Sequence, residues 1–348
     1  MKTIEIAHIK EKLIQIFARN YAPEVDIMLP LVKDVWEILL HENSTIRPYG
    51  ENNKPGGLIY INPHIDTIIV PDIHARIDFM LSLLLYETEQ GSIVERLYNN
   101  TIQVVCIGDG MHAESRAAKR WMAAKKEYKK KFKRHDYMDI EMKESFCVME
   151  MVLELKRAFP HNFHYLKGNH DNIANERGKG NYPFMKFAFE GPMVTEYVFK
   201  FYGLEFLKYY YAFEKALPLF AINRHFLISH AEPAFFYTPF EIINYKKYPE
   251  VITGLTWTDD EESITGSVEA MIREYIDPIH QNTAFYFGGH RAISGLYNKR
   301  ANDRYIQIHN PYKFIIALIP NERPPILQED IIEINNITKN IHGAKHHG

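Results

Sequence analysis

FHYLKGNHD, residues 163–171, decides the reading of this chain: a short apolar run ends at a turn and there presents Asn169, His170 and Asp171. Four other runs have the same form. TIIV (67–70) leads into Pro71-Asp72-Ile73-His74, and QVVCI (103–107) leads into Gly108-Asp109. FLI (226–228) leads into Ser229-His230, and AFYF (284–287) into Gly288-Gly289-His290. Each predicts a strand that delivers polar side chains from its carboxyl end, where an open α/β sheet forms its crevice.

The 348 residues are 46% hydrophobic, enough for one large core, or one core and a small appended unit. A net charge of −3 gives no whole-molecule reason to expect nucleic acid or an anionic membrane as partner. Two cysteines, Cys106 and Cys147, do not imply a disulfide framework. The first twenty residues carry charges every few positions, and no apolar run approaches the roughly 18 residues of a membrane span. The expectation is a soluble, cytoplasmic protein.

Working outward from the motifs, residues 4–19 and 24–41 predict amphipathic helices, with Ile27, Leu31, Val35, Ile38 and Leu39 on one face of the second. The turn residues NNKPGG (52–57) place a boundary there, so that 1–57 reads as a helical accessory segment and 58–335 as the main domain. GLIYIN and DTIIVPD are strands, a helix is expected over about 76–90 and another over 93–98, and QVVCIGD closes a β-α-β unit with parallel strands. A helical region follows over about 113–158, whose basic run KKEYKKKFKRHD (125–136) is either a solvated face or a landing strip for an acidic or phosphorylated partner. An insertion at 172–217 is crowded with Phe and Tyr, most of them expected in the core. PLFAIN and HFLISH read as a hairpin turning at Asn223-Arg224, residues 239–283 as mostly helical, and AFYFGGH, RYIQIHNP and FIIALIP as strands. The polar stretch 336–348 reads as a flexible tail.

Asp, His and Asn gathered in one crevice suit divalent transition metals. The spacing in Asp72-x-His74 holds a single ion from one turn, and Asp109, alone at its strand end, is the natural bridge. The expected division is Asp72, His74 and Asp109 on one ion, and Asp109, Asn169, His230 and His290 on the other. Such a pair, with Mn, Fe or Zn, would polarise a phosphoryl group and activate a bridging water for attack. His170, next to Asn169, is placed to protonate a leaving alkoxide, with Asp171 either orienting it or capping the turn. Any one His is more often structural than ligating, and any one Asp can be a helix cap. Five strand ends all carrying ligand-type residues are not accounted for that way.

In order, these runs resemble the calcineurin-like metallophosphoesterases, and within them the phosphoprotein phosphatase branch. Against that branch's GDxHG, GDxVDRG, GNHE, HGG and later His stand PDIHA (71–75), GDGMHAE (108–114), GNHD, HAE (230–232) and GGHR (288–291). ALPLFAINRHFLISHAEPA (216–234) and LTWTDDEE (255–262) extend the likeness, which spans about 58–320. It implies a four-layer α/β/β/α sandwich of two mixed sheets, here with an N-terminal helical extension, and a dinuclear-metal phosphoesterase acting on phosphomonoesters, including serine/threonine phosphoproteins. It also shows departures. Where the branch has an Asp paired with its catalytic His, then an Arg gripping phosphate, this chain has His112 and Ala113, followed by Glu114 in place of Gly. Pro71 and Ala75 replace flanking glycines, which is tolerable if the turn needs no positive φ. Arg291, after His290, is the candidate phosphate grip beside Asn169. Rival readings are a nucleotide or dinucleoside polyphosphate hydrolase, and a metal-binding scaffold without turnover.

Overall fold

Alternation along the strands sorts their side chains into two faces, and that sorting makes the layers. The computed structural model describes residues 2–339, with side chains from Ile6 onward; residues 340–348 of the expected tail lie outside the described residues. In chain order the elements are α1 (Lys2–Ala18), α2 (Val25–Leu40), β1 (Leu58–Tyr60), β2 (Asp66–Val70), α3 (Ile77–Leu84), β3 (Glu87–Thr88), β4 (Gly91–Ser92), α4 (Ile93–Tyr98) and β5 (Ile102–Cys106). Then come α5 (Ala118–Lys129), α6 (Asp136–Ala158), β6 (Phe163–Tyr165), α7 (Glu190–Phe201), α8 (Gly203–Glu214), β7 (Phe220–Ile222), β8 (Phe226–Ser229), α9 (Pro239–Ile243), α10 (Pro249–Thr256) and α11 (Ser267–Tyr275). The chain closes with β9 (Phe285–Gly288), β10 (Asn298–Arg300), β11 (Tyr305–Gln307), β12 (Ile315–Ile319), α12 (Leu327–Asp330) and β13 (Ile331–Glu333).

One mixed sheet runs β13-β12-β2-β5-β6, with β2, β5 and β6 mutually parallel. The other runs β1-β7-β8-β9-β11-β10, with β8, β9 and β11 parallel. Ile69, Val105 and Ile107 from the first sheet meet Phe226, Ile228, Phe287, Ile306 and Ile308 from the second in the central core. Their neighbours point outward: Ile68, Val70, Val104 and Cys106 into the layer that holds α1 to α8, and Phe220, Leu227, Tyr286 and Tyr305 onto α10 and α11. The result is the α/β/β/α sandwich of two mixed sheets. None of the described helices is long and apolar enough to cross a membrane.

Several elements differ from expectation for local reasons. α3 stops at Leu84, because Glu87–Thr88 and Gly91–Ser92 pair as a small ribbon; Ser92 and Glu95 then form a capping box that starts α4. The helical stretch 113–158 is broken after Lys129. Lys131 and Phe132 turn left-handed so that Phe132 reaches the core, and the Glu127 carboxylate accepts the amides of Tyr137 and Met138 at the start of α6. The hairpin turns at Arg224-His225, one residue later than expected, since Asn223 N–H already bonds the Phe226 carbonyl at 2.9 Å. In the aromatic stretch, Tyr197, Phe206, Tyr210 and Phe213 are buried in the helical layer, as expected of core residues.

The connection from α2 to β1 is held by a buried charge cluster. Glu42 accepts from Arg47 Nη1 (2.8 Å) and Lys156 Nζ (2.6 Å), and Arg47 also donates to the carbonyls of Gly56 and Ala216. Glu42→Ala strands two buried cations, so an unfolding free energy lower by about 3–5 kcal/mol is expected, read as a lower urea midpoint at unchanged slope. Burial alone would raise the Glu42 carboxyl, but Lys156 and Arg47 bring it down to about 2. Its contribution is therefore complete above the unfolded value of about 4.3. It fades as pH falls toward about 2, so the gap between wild type and variant should close over that window.

Candidate metal centre

Three adjacent parallel strands in each sheet end at the same edge of the sandwich. β2, β5 and β6 lead to Asp72, Asp109 and Asn169; β8, β9 and β11 lead to His230, His290 and His309. His74 follows Asp72 by two residues. All these side chains are buried or nearly so, and Asp72, His230 and His309 are at 0% exposure.

Donor atoms crowd around the Asp109 carboxylate. His74 Nε2 lies 3.7 Å from Asp109 Oδ2 and 3.8 Å from Asp72 Oδ2; His230 Nε2 lies 3.5 Å from the same Asp109 oxygen. Asn169 Oδ1 is 2.9 Å from His230 Nε2 and 3.1 Å from His290 Nδ1. Two ligands at about 2.1 Å from one ion stand about 3–4 Å apart, so the spacing suits cations between the donors. Asp72, Asp109 and His230 form one triplet of this kind, and Asp72, His74 and His309 another.

The imidazoles are oriented for lone-pair donation. His74 Nδ1 donates to the His112 carbonyl and His230 Nδ1 to that of Ile107, each at 3.0 Å, which turns both Nε2 atoms into the site. Burial lowers His230 to about 3, so it is neutral and has one proton. That proton serves Ile107, and a shared cation would remove the conflict between Nε2 and the facing Asn169 oxygen. Burial also tends to raise Asp72, but His309, the largest influence among the imidazoles around it, pulls its carboxyl below the usual range. Asp109 is pushed well above that range, by burial first and then by Asp72 and Asp171. Two adjacent buried carboxylates are what a bound cation would relieve.

Tight turns bring these groups together. His290 N–H donates to the Asp72 carboxylate (3.0 Å) and His170 N–H to Asp109 Oδ1 (2.8 Å). A β-carbon on Gly168 would stand 2.0 Å from Asp109 Oδ1, and one on Gly289 2.1 Å from Asp72 Oδ1. His74, Ala75, Asp109, His112 and His290 all have positive φ, between 47° and 64°. The tolerance expected for Ala75 rested on the turn needing no positive φ; the turn does need one, with Ala75 at 58°.

His170 sits at the mouth, its Nε2 3.9 Å from Asp109 Oδ2 and its ring 3.6 Å from that of Phe184. Asp171 is not its partner. That carboxylate accepts Gly168 N–H (2.7 Å), Asp109 N–H (3.3 Å) and Tyr165 O–H (2.9 Å), tying the two metal-side loops together. His112 faces His170 at 5.5 Å between ring centres and stacks on Phe184, with neither ring nitrogen hydrogen-bonded. A cleft of about 330 Å³ opens over His74, Asn169, His170 and His290, walled by Phe184 and Trp257. Arg291 lines it with its guanidinium paired to Asp259, whereas Arg273 is exposed on α11 outside it. A larger cavity of about 750 Å³ lies between the α1–α2 connection and the starts of α6 and the end of α7, away from these donors. The basic run 125–136 ends α5 and forms the following turn, and its Lys126, Lys129, Lys130 and Lys133 are surface residues.

Two residues in the site carry no expectation from the sequence. His309 ends RYIQIH, a strand-end histidine of the same form as His230 and His290. Lys186, whose Nζ is 3.3 Å from Glu114 Oε1, lies in the aromatic stretch with no motif to mark it.

No family model matches the chain, and no curated protein matches it. Among solved structures, the fold is similar to that of a protein serine/threonine phosphatase from Saccharomyces cerevisiae, with a TM-score of 0.53 and 12% identity over 87% of this chain and 88% of that one. The cold-active protein-tyrosine phosphatase of a psychrophile, Shewanella sp., aligns at a TM-score of 0.43 and 12% identity over 80% of this chain and 82% of that one. At such identity the first likeness is one of fold, and it agrees with the sandwich implied by the motifs.

Because the two carboxylates tolerate no side chain opposite them, Gly168→Ala and Gly289→Ala should each displace an aspartate. A loss of about 1–3 kcal/mol in stability is expected from overpacking. Metal content after manganese loading, measured by elemental analysis, should fall in both variants.

Proposed function

We propose that the chain hydrolyses phosphomonoesters using two divalent ions held by Asp72, His74, Asp109, Asn169, His230 and His290. The supporting observation is that one Asp109 oxygen faces both His74 Nε2 (3.7 Å) and His230 Nε2 (3.5 Å), as a bridging carboxylate would. The mixed N/O set suits Mn, Fe or Zn. When bound, two such ions polarise a phosphoryl oxygen and make a water nucleophilic near neutral pH.

The remaining work falls to side chains. As the bond from phosphorus to the leaving oxygen breaks, His170 gives that oxygen its proton and later regains one from the water that has added to phosphorus. Burial, then His74 and His112, hold the His170 imidazole well below its usual pKa, and among the described residues no carboxylate hydrogen-bonds to it. An arriving phosphate dianion supplies the negative charge that favours the protonated ring. Asn169 and Arg291 are the proposed phosphate contacts. Arg291 must share its guanidinium between phosphate and Asp259, and Lys186 adds a second cation in the cleft wall.

A phosphoserine or phosphothreonine side chain is the substrate class drawn from the motif resemblance. Nucleotides are favoured by a separate observation: Phe184 and Trp257 wall the cleft, and Tyr182 packs edge-on to Trp257 at 5.3 Å, an aromatic lining of the kind that suits a base. Manganese-dependent turnover of an aryl phosphate is the first expected result. His170→Ala should lower kcat by about 10²–10⁴-fold with KM little changed, and full activity in that variant removes the acid role. Relative kcat/KM for a phosphopeptide and a dinucleoside polyphosphate decides between the substrate classes. Two bound equivalents of metal without turnover on either would leave a metal-binding scaffold.

A further inference from the structure

Glu114 and His309 occupy positions that neither the motif series nor the proposed ligand set explains, and they touch each other. His309 Nε2 donates to Glu114 Oε2 at 3.0 Å. Its other ring nitrogen, Nδ1, is fully buried, has no hydrogen-bond partner among the described residues, and lies 4.0 Å from Asp72 Oδ2. An imidazole with one nitrogen fixed by a carboxylate and the other aimed, unpaired, at an aspartate has the arrangement of a metal ligand held by an orienting partner. The His74 ring stands 5.4 Å away, and Asp72, His74 and His309 bring three donor atoms within 4.8 Å of one another.

We infer that His309 is a further protein ligand of the ion position formed by Asp72, His74 and Asp109, and that Glu114 is its positioning residue. The inference rests on the dinuclear reading of the site, and it accounts for a departure in the chain. Glu114 stands where the resembled motif has glycine, and a glycine there would leave His309 Nε2 with no acceptor. The other Glu114 oxygen lies 3.7 Å from His74 Nε2 and 3.3 Å from Lys186 Nζ, so the same carboxylate links this ion position to a cation in the cleft wall. With His309 included, the first position holds two carboxylates and two imidazoles. The second holds one carboxylate, one amide oxygen and two imidazoles.

The test is titration of the chelator-stripped full-length chain with cobalt(II), followed by visible absorption and calorimetry. Wild type should take up two equivalents. His309→Ala should keep one of these unchanged and lose the other or bind it more than tenfold more weakly, while Asn169→Ala weakens the opposite one. Glu114→Ala should weaken the His309-dependent equivalent by about 10–100-fold, and Glu114→Gln, which keeps an acceptor oxygen, should recover most of it. If His309→Ala does not fold by circular dichroism, His309→Gln is scored in its place. Two equivalents bound with wild-type affinity in the His309 variant overturn the assignment. So does a Glu114→Ala effect shared equally by both equivalents or left uncorrected by Gln. Wild type that binds no cobalt overturns this inference and the dinuclear reading together. The expected binding pattern without any phosphoester hydrolysis upholds the ligand assignment and overturns the phosphoesterase reading alone.

Discussion

Asp72 and Asp109 are buried side by side, and among the described residues no lysine or arginine lies within 4.0 Å of either carboxylate. Buried charge of this kind needs hydrogen bonds and a counter-charge. The hydrogen bonds come from backbone: His290 N–H to Asp72 and His170 N–H to Asp109. Burial holds the His74 and His230 imidazoles toward their neutral form, which suits them as ligands more than as counter-charges. A cation from outside would supply charge to both carboxylates, with the neutral rings as its ligands. The same burial that makes the carboxylates a liability without an ion makes the histidines good donors with one.

Most of this was legible in the sequence because strand-end residues are set by local pattern. An apolar run, a turn and a polar residue need no knowledge of the partner sheet, and Asp72, His74, Asp109, Asn169, His230 and His290 all lie where the strand ends converge. His309 shows where that reading stops. RYIQIH reads as a strand with a histidine at its end, like the runs to His230 and His290, but the resembled motif series has no counterpart for it, and the pairing of β11 with β9 is what places it beside His290's strand. Asp171 was ambiguous for a related reason: adjacency in GNHD suggests contact with His170, whereas the turn sends its carboxylate to Gly168, Asp109 and Tyr165 instead. The break after Lys129 is hidden by a run of good helix formers, since burial of Phe132 overrides propensity there. β10 and β13 are short edge strands whose polar or mixed sequences carry little period-two signal.

Departures from the resembled motifs fall into one neighbourhood. His112 takes the place of a carboxylate beside the candidate acid, and burial lowers it to about 3, so it offers His170 no negative charge. Phe184 packs on both rings. Ala113 replaces the arginine and is buried, with its amide on Glu141 and its carbonyl receiving the Trp121 indole. The positive charge facing the cleft therefore comes from elsewhere, from Arg291 after β9 and Lys186 before α7. Each of these is paired with a carboxylate, Asp259 and Glu114 respectively. A phosphate entering the cleft, as the proposed function requires, would have to exchange with those carboxylates instead of meeting a free arginine fork, which would lower the net gain from each contact.

Rigidity at the edge has its own cost and remedy. Each non-glycine residue held at positive φ is strained by about 1–2 kcal/mol, and His74, Ala75, Asp109, His112 and His290 are all so held. Cross-ties between neighbouring strand ends fix them: His74 N–H to the Asp109 carbonyl (2.7 Å), Ala75 N–H to that of Gly110 (2.8 Å), and Gly289 N–H to that of His230 (2.8 Å). These ties stay within one sheet. Between the sheets, the links at this edge are polar: Asp72 with the amide of His290, and Asn169 with His230 and His290. Hydrophobic packing of Ile107, Phe287 and Ile308 ends just behind them. The side chains that could hold an ion are thus the last layer of the interface between the sheets, and an ion held there would close the sandwich as well as serve the proposed chemistry.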